Sequence, residues 1–133
     1  MKHELLIDNK KIIVFAQIKG FDDNMELKFI LDTGSSITVI DDGAVIRLGY
    51  DLKQLKKGDR LMTAGGGVYS KTLELPMFSL FGKDLNDFEV SVMNMPPQIS
   101  YFADGLIGMD FLLQFKKFAF DFDENVIEIF ETA

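Results

Sequence analysis

Cysteine is absent from this 133-residue chain, which removes disulfides, thiolate metal sites and a thiol nucleophile at once. A reducing, cytoplasmic location is the simplest home for such a composition. No apolar run approaches the roughly 20 residues that cross a bilayer as a helix, so no membrane partner is expected. The opening Met1-Lys2-His3-Glu4 lacks the basic-then-apolar layout of a secretory signal. Basic charge is also scarce: 14 Lys and Arg stand against 21 Asp and Glu, a formal net charge of −7. Neutralising phosphates takes a basic stripe. The densest basic stretch, Lys53 to Arg60, is broken by Gln54, Leu55, Gly58 and Asp59, so no nucleic-acid partner is expected. His3 is the sole histidine and is assigned no role. Asp22, Asp23, Asp41 and Asp42 lack the spacing of a calcium loop; they read as turns and caps, and no metal or cofactor is expected.

What the chain does contain is apolar and aromatic. Hydrophobic residues make up 47% and charged residues 26%, a balance that excludes a disordered chain. Thirteen Phe and no Trp point to a core built from aromatic slabs. The length suits a single domain over residues 1–133. Its periodicity is overwhelmingly two: Ile12, Val14, Ala16 and Ile18 alternate with Ile13, Phe15, Gln17 and Lys19. Strands are also expected at Glu4–Ile7, Met25–Leu31, Ile37–Ile40, Met77–Phe81 and Asp87–Met93. Hairpins are expected around Gly65-Gly66-Gly67, with a mobile tip, and between Phe118–Phe122 and Val126–Phe130. A short helix capped by Asp41 or Asp42 carries Ala44, Val45 and Leu48. Pro96-Pro97 reads as a loop, and Phe111–Phe115 as a second short helix capped by Asp110. The fold class is all-β with one or two short helices.

One run carries specific chemistry: Phe29-Ile30-Leu31-Asp32-Thr33-Gly34-Ser35-Ser36. A buried strand does not ordinarily end on a carboxylate, because stripping an ion of water without a partner is costly. Here Gly34 permits close backbone approach, and Thr33 and Ser35 offer hydroxyl donors.

That run, with Ile37-Thr38-Val39-Ile40 after it, resembles the active-site motif of the retropepsin-like aspartic proteases, especially their bacterial single-domain members. Thr63-Ala64-Gly65-Gly66-Gly67-Val68-Tyr69 stands where the family has its flap hairpin. Gly105-Leu106-Ile107-Gly108-Met109-Asp110-Phe111-Leu112 is similar to its apolar-apolar-Gly motif and following helix. The resemblance implies a closed-barrel-like acid protease fold of one lobe, with Asp32, Thr33 and Gly34 catalytic. It also implies substrate contacts from Ser35, Ile37, Ala64, Gly65, Gly66, Gly67, Tyr69, Leu106 and Ile107, on a protein or peptide substrate.

Peptide hydrolysis of this type runs on two carboxylates sharing one proton. The chain has one D-T-G and no room for a second lobe, so the resemblance implies a homodimer that brings two copies of Asp32 together. Glu4–Ile7 and Val126–Phe130 are the edge strands expected to serve that interface. Two positions depart from the retroviral pattern. Ser35 replaces the usual Ala, which implies a hydroxyl donated to the carboxylate and a more acidic activity profile. Met109 replaces the Arg that braces retroviral dimers. The alternatives are a catalytically inactive dimerisation or peptide-binding domain on the same fold, and a small β-barrel holding an apolar ligand.

Overall fold

In a computed structural model, the protein is described over residues 1–21, 23–63 and 66–131, with the backbone alone at 59–63, 66, 68 and 69. The strands are β1 (Lys2–Glu4), β2 (Leu6–Asp8), β3 (Lys11–Lys19), β4 (Asn24–Leu31) and β5 (Val39–Asp41), then β6 (Lys56–Thr63), β7 (Gly66–Leu80) and β8 (Lys83–Met93), then β9 (Gly105–Ile107), β10 (Lys117–Asp121) and β11 (Val126–Phe130). Between them lie the helices α1 (Asp42–Arg47), α2 (Pro97–Ser100) and α3 (Met109–Leu112), and a 3₁₀ turn at Leu52–Gln54.

Strand β3 shows why the pattern of two becomes a sheet: Val14, Ala16 and Ile18 are buried, whereas Phe15, Gln17 and Lys19 are exposed. It pairs antiparallel with β4, and at its far end with β7 through Gln17↔Ser79 to Lys19↔Met77. The larger sheet runs β2-β3-β4-β9-β5-β8-β7-β6, and the β3–β7 contact bends it into a ring. This is the barrel-like single lobe that was expected. Near Ile13 the edge of β3 is taken by β2 instead, so the ring is barrel-like but not a regular closed barrel.

A second sheet, β1-β11-β10, is built from the two ends of the chain. The expected strand Glu4–Ile7 is split between the sheets: at Leu5, buried and bonded through its N–H to the Asn125 carbonyl at 2.7 Å, the chain crosses from one to the other. Strand β11 is the centre of this sheet, not an edge; the edges are β1 and β10.

Three further expectations are corrected. Strand β7 runs unbroken through Pro76, where two strands were expected; its pairing to β8 continues with Leu75↔Phe88 and Met77↔Asn86 on either side. Pro96-Pro97 opens the one-turn helix α2 with Pro at a first-turn position, where the missing N–H costs nothing. Helix α3 starts at Met109 with Gly108 as its N-cap, so Asp110 lies inside the first turn.

Aromatic rings tie the ring of strands to α3. Phe78 meets Phe29 at 5.7 Å, Phe88 at 5.1 Å and Phe111 at 5.4 Å between centroids. Phe111 meets Phe115 at 5.5 Å, and Phe115 meets Phe118 at 5.4 Å. Tilted and edge-on pairs of this kind add about 0.5–1.5 kcal/mol each beyond the area they bury.

His3 of β1 sits 5.3 Å from the ring of Phe81. Its Nε2 is shielded from solvent with no hydrogen-bond partner among the described residues. Burial, and secondarily the N-terminal ammonium, push its pKa below 6.5. Folding thus favours the neutral ring, and the unfolded chain binds more protons at mildly acidic pH. Stability is fully present above the ordinary histidine value and declines as pH falls through the folded one. A His3→Phe variant keeps an aromatic ring that cannot titrate. Its melting temperature should fall less steeply than the wild type's between about pH 7 and pH 5; parallel curves would place the effect elsewhere.

Candidate active site

The chain leaves β4 at Leu31 and turns at once. The Asp32 N–H donates to the Ile107 carbonyl at 2.9 Å, and the Ser35 N–H donates to the Asp32 carbonyl at 3.1 Å. The Gly34 N–H donates to Asp32 Oδ1 at 2.9 Å. The carboxylate is therefore half-buried at the rim of the ring, held by backbone at its own N–H, carbonyl and side chain, with Thr33 and Gly34 exposed beside it. Gly34 does not adopt a left-handed turn, and a Cβ there would lie 3.2 Å from Asp32 Oδ1, a tight contact that a small shift of the carboxylate relieves. The Thr33 hydroxyl makes no hydrogen bond among the described residues.

The residues after this turn are docked on the segment that follows β9. Met109 N–H donates to the Ser35 carbonyl at 2.8 Å and Asp110 N–H to the Ser36 carbonyl at 3.2 Å. Ser35 does not act as expected. Its Oγ donates to the Ile37 carbonyl at 2.7 Å, so its one proton is spent on the loop itself and not on the Asp32 carboxylate. The acidic profile inferred from Ser35 loses its basis.

Strand β9 separates the two apolar residues expected to line pockets. Ile107 is 0% exposed and belongs to the main core with Phe29, Phe78 and Phe111. Alternation puts Leu106 on the other face, half-buried with Val39, Met93, Met95, Ile37 and Ile99. Leu106 and Ile37 thus share one apolar cluster, whereas Ile107 cannot touch a substrate.

At the Gly-rich hairpin, Ala64 and Gly65 lie outside the described residues. Gly66 and Gly67 are strand residues of β7, paired with Thr63 and Met62, and not a turn tip. Tyr69 pairs with Arg60 in the same ladder. A surface concavity of about 470 Å³ lies on the small sheet, lined by residues such as Lys2, Phe120, Phe122 and Glu128, away from Asp32.

Sequence reasoning missed Thr38 as a site-forming residue. Its signal was available: a hydroxyl inside the β-branched run Ile37-Thr38-Val39-Ile40, which in the fold is 0% exposed. It misread Asp110, whose carboxylate accepts from Thr38 N–H at 2.9 Å and from Thr38 Oγ1 at 2.7 Å.

A family model described as "Aspartyl protease" matches residues 16–111, more than half of the chain. The chain belongs to the aspartyl protease family. Within that family its shape is retropepsin-like. A retropepsin-like aspartic protease from Rickettsia conorii superimposes with a TM-score of 0.75 at 23% identity, over 98% of this chain and 91% of the other. The EIAV protease complexed with the inhibitor HBY-793 gives 0.62 at 20% identity, over 79% and 88%. The retroviral protease-like domain of Ddi1 from Leishmania major gives 0.60 at 18%, over 90% and 87%. At these identities the likeness establishes the fold. No curated protein sequence matches the chain.

The glycines of β9 and its exit are the sharpest steric requirement of this aspartyl protease. A Cβ on Gly108 would stand 2.3 Å from the Ile37 carbonyl oxygen, against backbone that cannot yield. Gly108→Ala should lower unfolding free energy by about 3 kcal/mol. Gly34→Ala, whose Cβ meets only a carboxylate oxygen, should unfold within about 1 kcal/mol of wild type. Chemical denaturation of both variants checks the contrast.

Proposed function

We propose that the chain is an aspartic endopeptidase whose active site is completed by a second copy of itself, with Asp32 from each copy holding one water between them. The observation that carries this reading is the placement of Asp32: a half-buried carboxylate at a strand end, fixed by backbone bonds, beside an exposed Thr33-Gly34. One lobe supplies one such group, and the reaction needs two.

Two carboxylates about 3 Å apart cannot both ionise readily, so their titrations split and belong to the pair. The ionised member takes a proton from the water as it attacks; the protonated member donates a hydrogen bond to the scissile carbonyl, whose oxygen gains charge. The unbonded Thr33 hydroxyl suits a contact to the other copy, and the missing side chain at Gly34 lets the two loops come together. An extended peptide would lie across the rim as an added strand, between the β6–β7 hairpin and the cluster of Ile37 and Leu106.

Among the described residues β10 has one edge without a partner strand, which supports an interface between copies. Phe120 on β10 and Phe122 just past its end are exposed and stack at 6.1 Å and 19°, and unpaired strand edges are ready templates for pairing. Met109 is packed against the core, so no cationic brace is available at that position.

Asp32→Asn should reduce cleavage of a mixed peptide library by about 10²–10⁴-fold, with the melting temperature preserved. Cleavage that persists in the variant defeats the mechanism, and binding without cleavage in the wild type favours a non-catalytic peptide-binding domain. Sedimentation over a concentration series should show a monomer–dimer equilibrium that activity follows. A strictly monomeric protein that still cleaves refutes the shared dyad.

A further inference from the structure

We infer that Asp110 is a positioning residue for Asp32, acting through Thr38 as the far anchor of the catalytic loop; the catalytic half of this inference rests on the endopeptidase reading above. The loop from Asp32 to Thr38 is held at its start by the Ile107 carbonyl and in its middle by the N–H groups of Met109 and Asp110. Its side chains contribute little to that hold, since Thr33, Gly34 and Ser36 are exposed and the Ser35 hydroxyl bonds within the loop. At its end one carboxylate gathers three donors. Asp110 Oδ2 accepts from Thr38 N–H at 2.9 Å, and Oδ1 accepts from Thr38 Oγ1 at 2.7 Å and Phe111 N–H at 2.8 Å. Thr38 Oγ1 in turn accepts from Gly108 N–H at 3.2 Å.

This arrangement explains two residue choices that sequence reasoning attributed to ordinary strand and cap roles. An ionised carboxylate is acceptor-only and has lone pairs for all three donors. An amide in its place would turn a donor either toward the Thr38 N–H, leaving that N–H without an acceptor, or toward the Thr38 hydroxyl and the Phe111 N–H, which would keep only its 3.2 Å bond to the Gly108 carbonyl. Among the described residues Asp110 forms no ion pair, so its charge is balanced by these donors alone. Thr38 needs its hydroxyl as a relay, because it both gives to Asp110 and takes from Gly108. The relay joins the end of the catalytic loop to the same glycine that admits β9. A shift there is transmitted to Asp32 along a segment of six peptide bonds pinned at both ends. Reaction at a carboxylate dyad is sensitive to displacements of that kind, about 100-fold for 1 Å.

The test compares Asp110→Asn, Thr38→Val and Thr38→Ser in the full chain. The first two should lose about 10–100-fold in kcat per folded protein with KM within about twofold, and Thr38→Ser, which keeps the relay, should stay near wild type. The double variant Asp110→Asn with Thr38→Val should be no worse than the poorer single one, because the two act as a unit. Unchanged kcat in folded Asp110→Asn overturns the inference, as does equal loss in Thr38→Ser and Thr38→Val. Amide exchange judges the coupling apart from catalysis. In Asp110→Asn, protection at the Asp32 and Thr38 amides should fall about tenfold or more while β3 amides keep theirs. If the Asp32 amide is as protected as in wild type, the coupling is absent even where the protein cleaves peptides. A wild type that cleaves nothing, with the exchange effect present, removes the endopeptidase reading and leaves the anchor standing.

Discussion

Gly105 and Gly108 let the segment around β9 lie against Ile37–Ile40 at a separation that admits no side chain: a Cβ on Gly105 would stand 2.0 Å from the Val39 carbonyl oxygen. That contact is what allows a three-residue strand to pair parallel with β4 and antiparallel with β5 at once. Without it the ring opens between β4 and β5, and the loop joining them, which carries Asp32, loses its floor. Each end of the contact also feeds the site directly, through the Ile107 carbonyl that receives the Asp32 N–H and the Gly108 N–H that reaches Thr38.

The core and the site share this strand but use opposite faces of it. Ile107 joins the aromatic packing of Phe29, Phe78 and Phe111, whose burial supplies stability at about 1.5–3 kcal/mol per large side chain. Leu106 faces outward into the smaller cluster with Ile37 and Val39. A carboxylate at the rim can then be held by backbone bonds on a rigid support, while the surface next to it stays apolar and open. Preorganisation of this kind comes from the ladder and its glycines, not from side chains crowding the acid.

Several elements were legible because their cause is local. Alternation along β3 needs only the pleat, the cap of α1 needs only Asp41 and the Gly43 N–H, and a carboxylate ending an apolar strand is visible in the run Phe29 to Ser36 itself. The misreadings have non-local causes. Asp110 looks like a cap until the fold brings Thr38, distant in the chain, within reach of it. Ser35 looks like a donor to its neighbour Asp32 until the loop turns its hydroxyl to Ile37. Val126–Phe130 looks like an edge because both hairpin strands have similar alternation, and only the return of β1 makes it central.

Residue chemistry and spacing alone were enough to settle a mainly β chain and an odd carboxylate at the end of an apolar strand, and three short motifs carried the resemblance to the family to which the chain belongs. They could do so because each depends on side-chain type and on intervals of a few residues. Which face of β9 meets solvent, which hydroxyl serves the loop and which strand is left at the edge were decided only by tertiary structure. Those outcomes depend on hydrogen bonds and steric exclusions between segments such as Ile37–Ile40 and Gly105–Gly108, which nothing in the local sequence brings together.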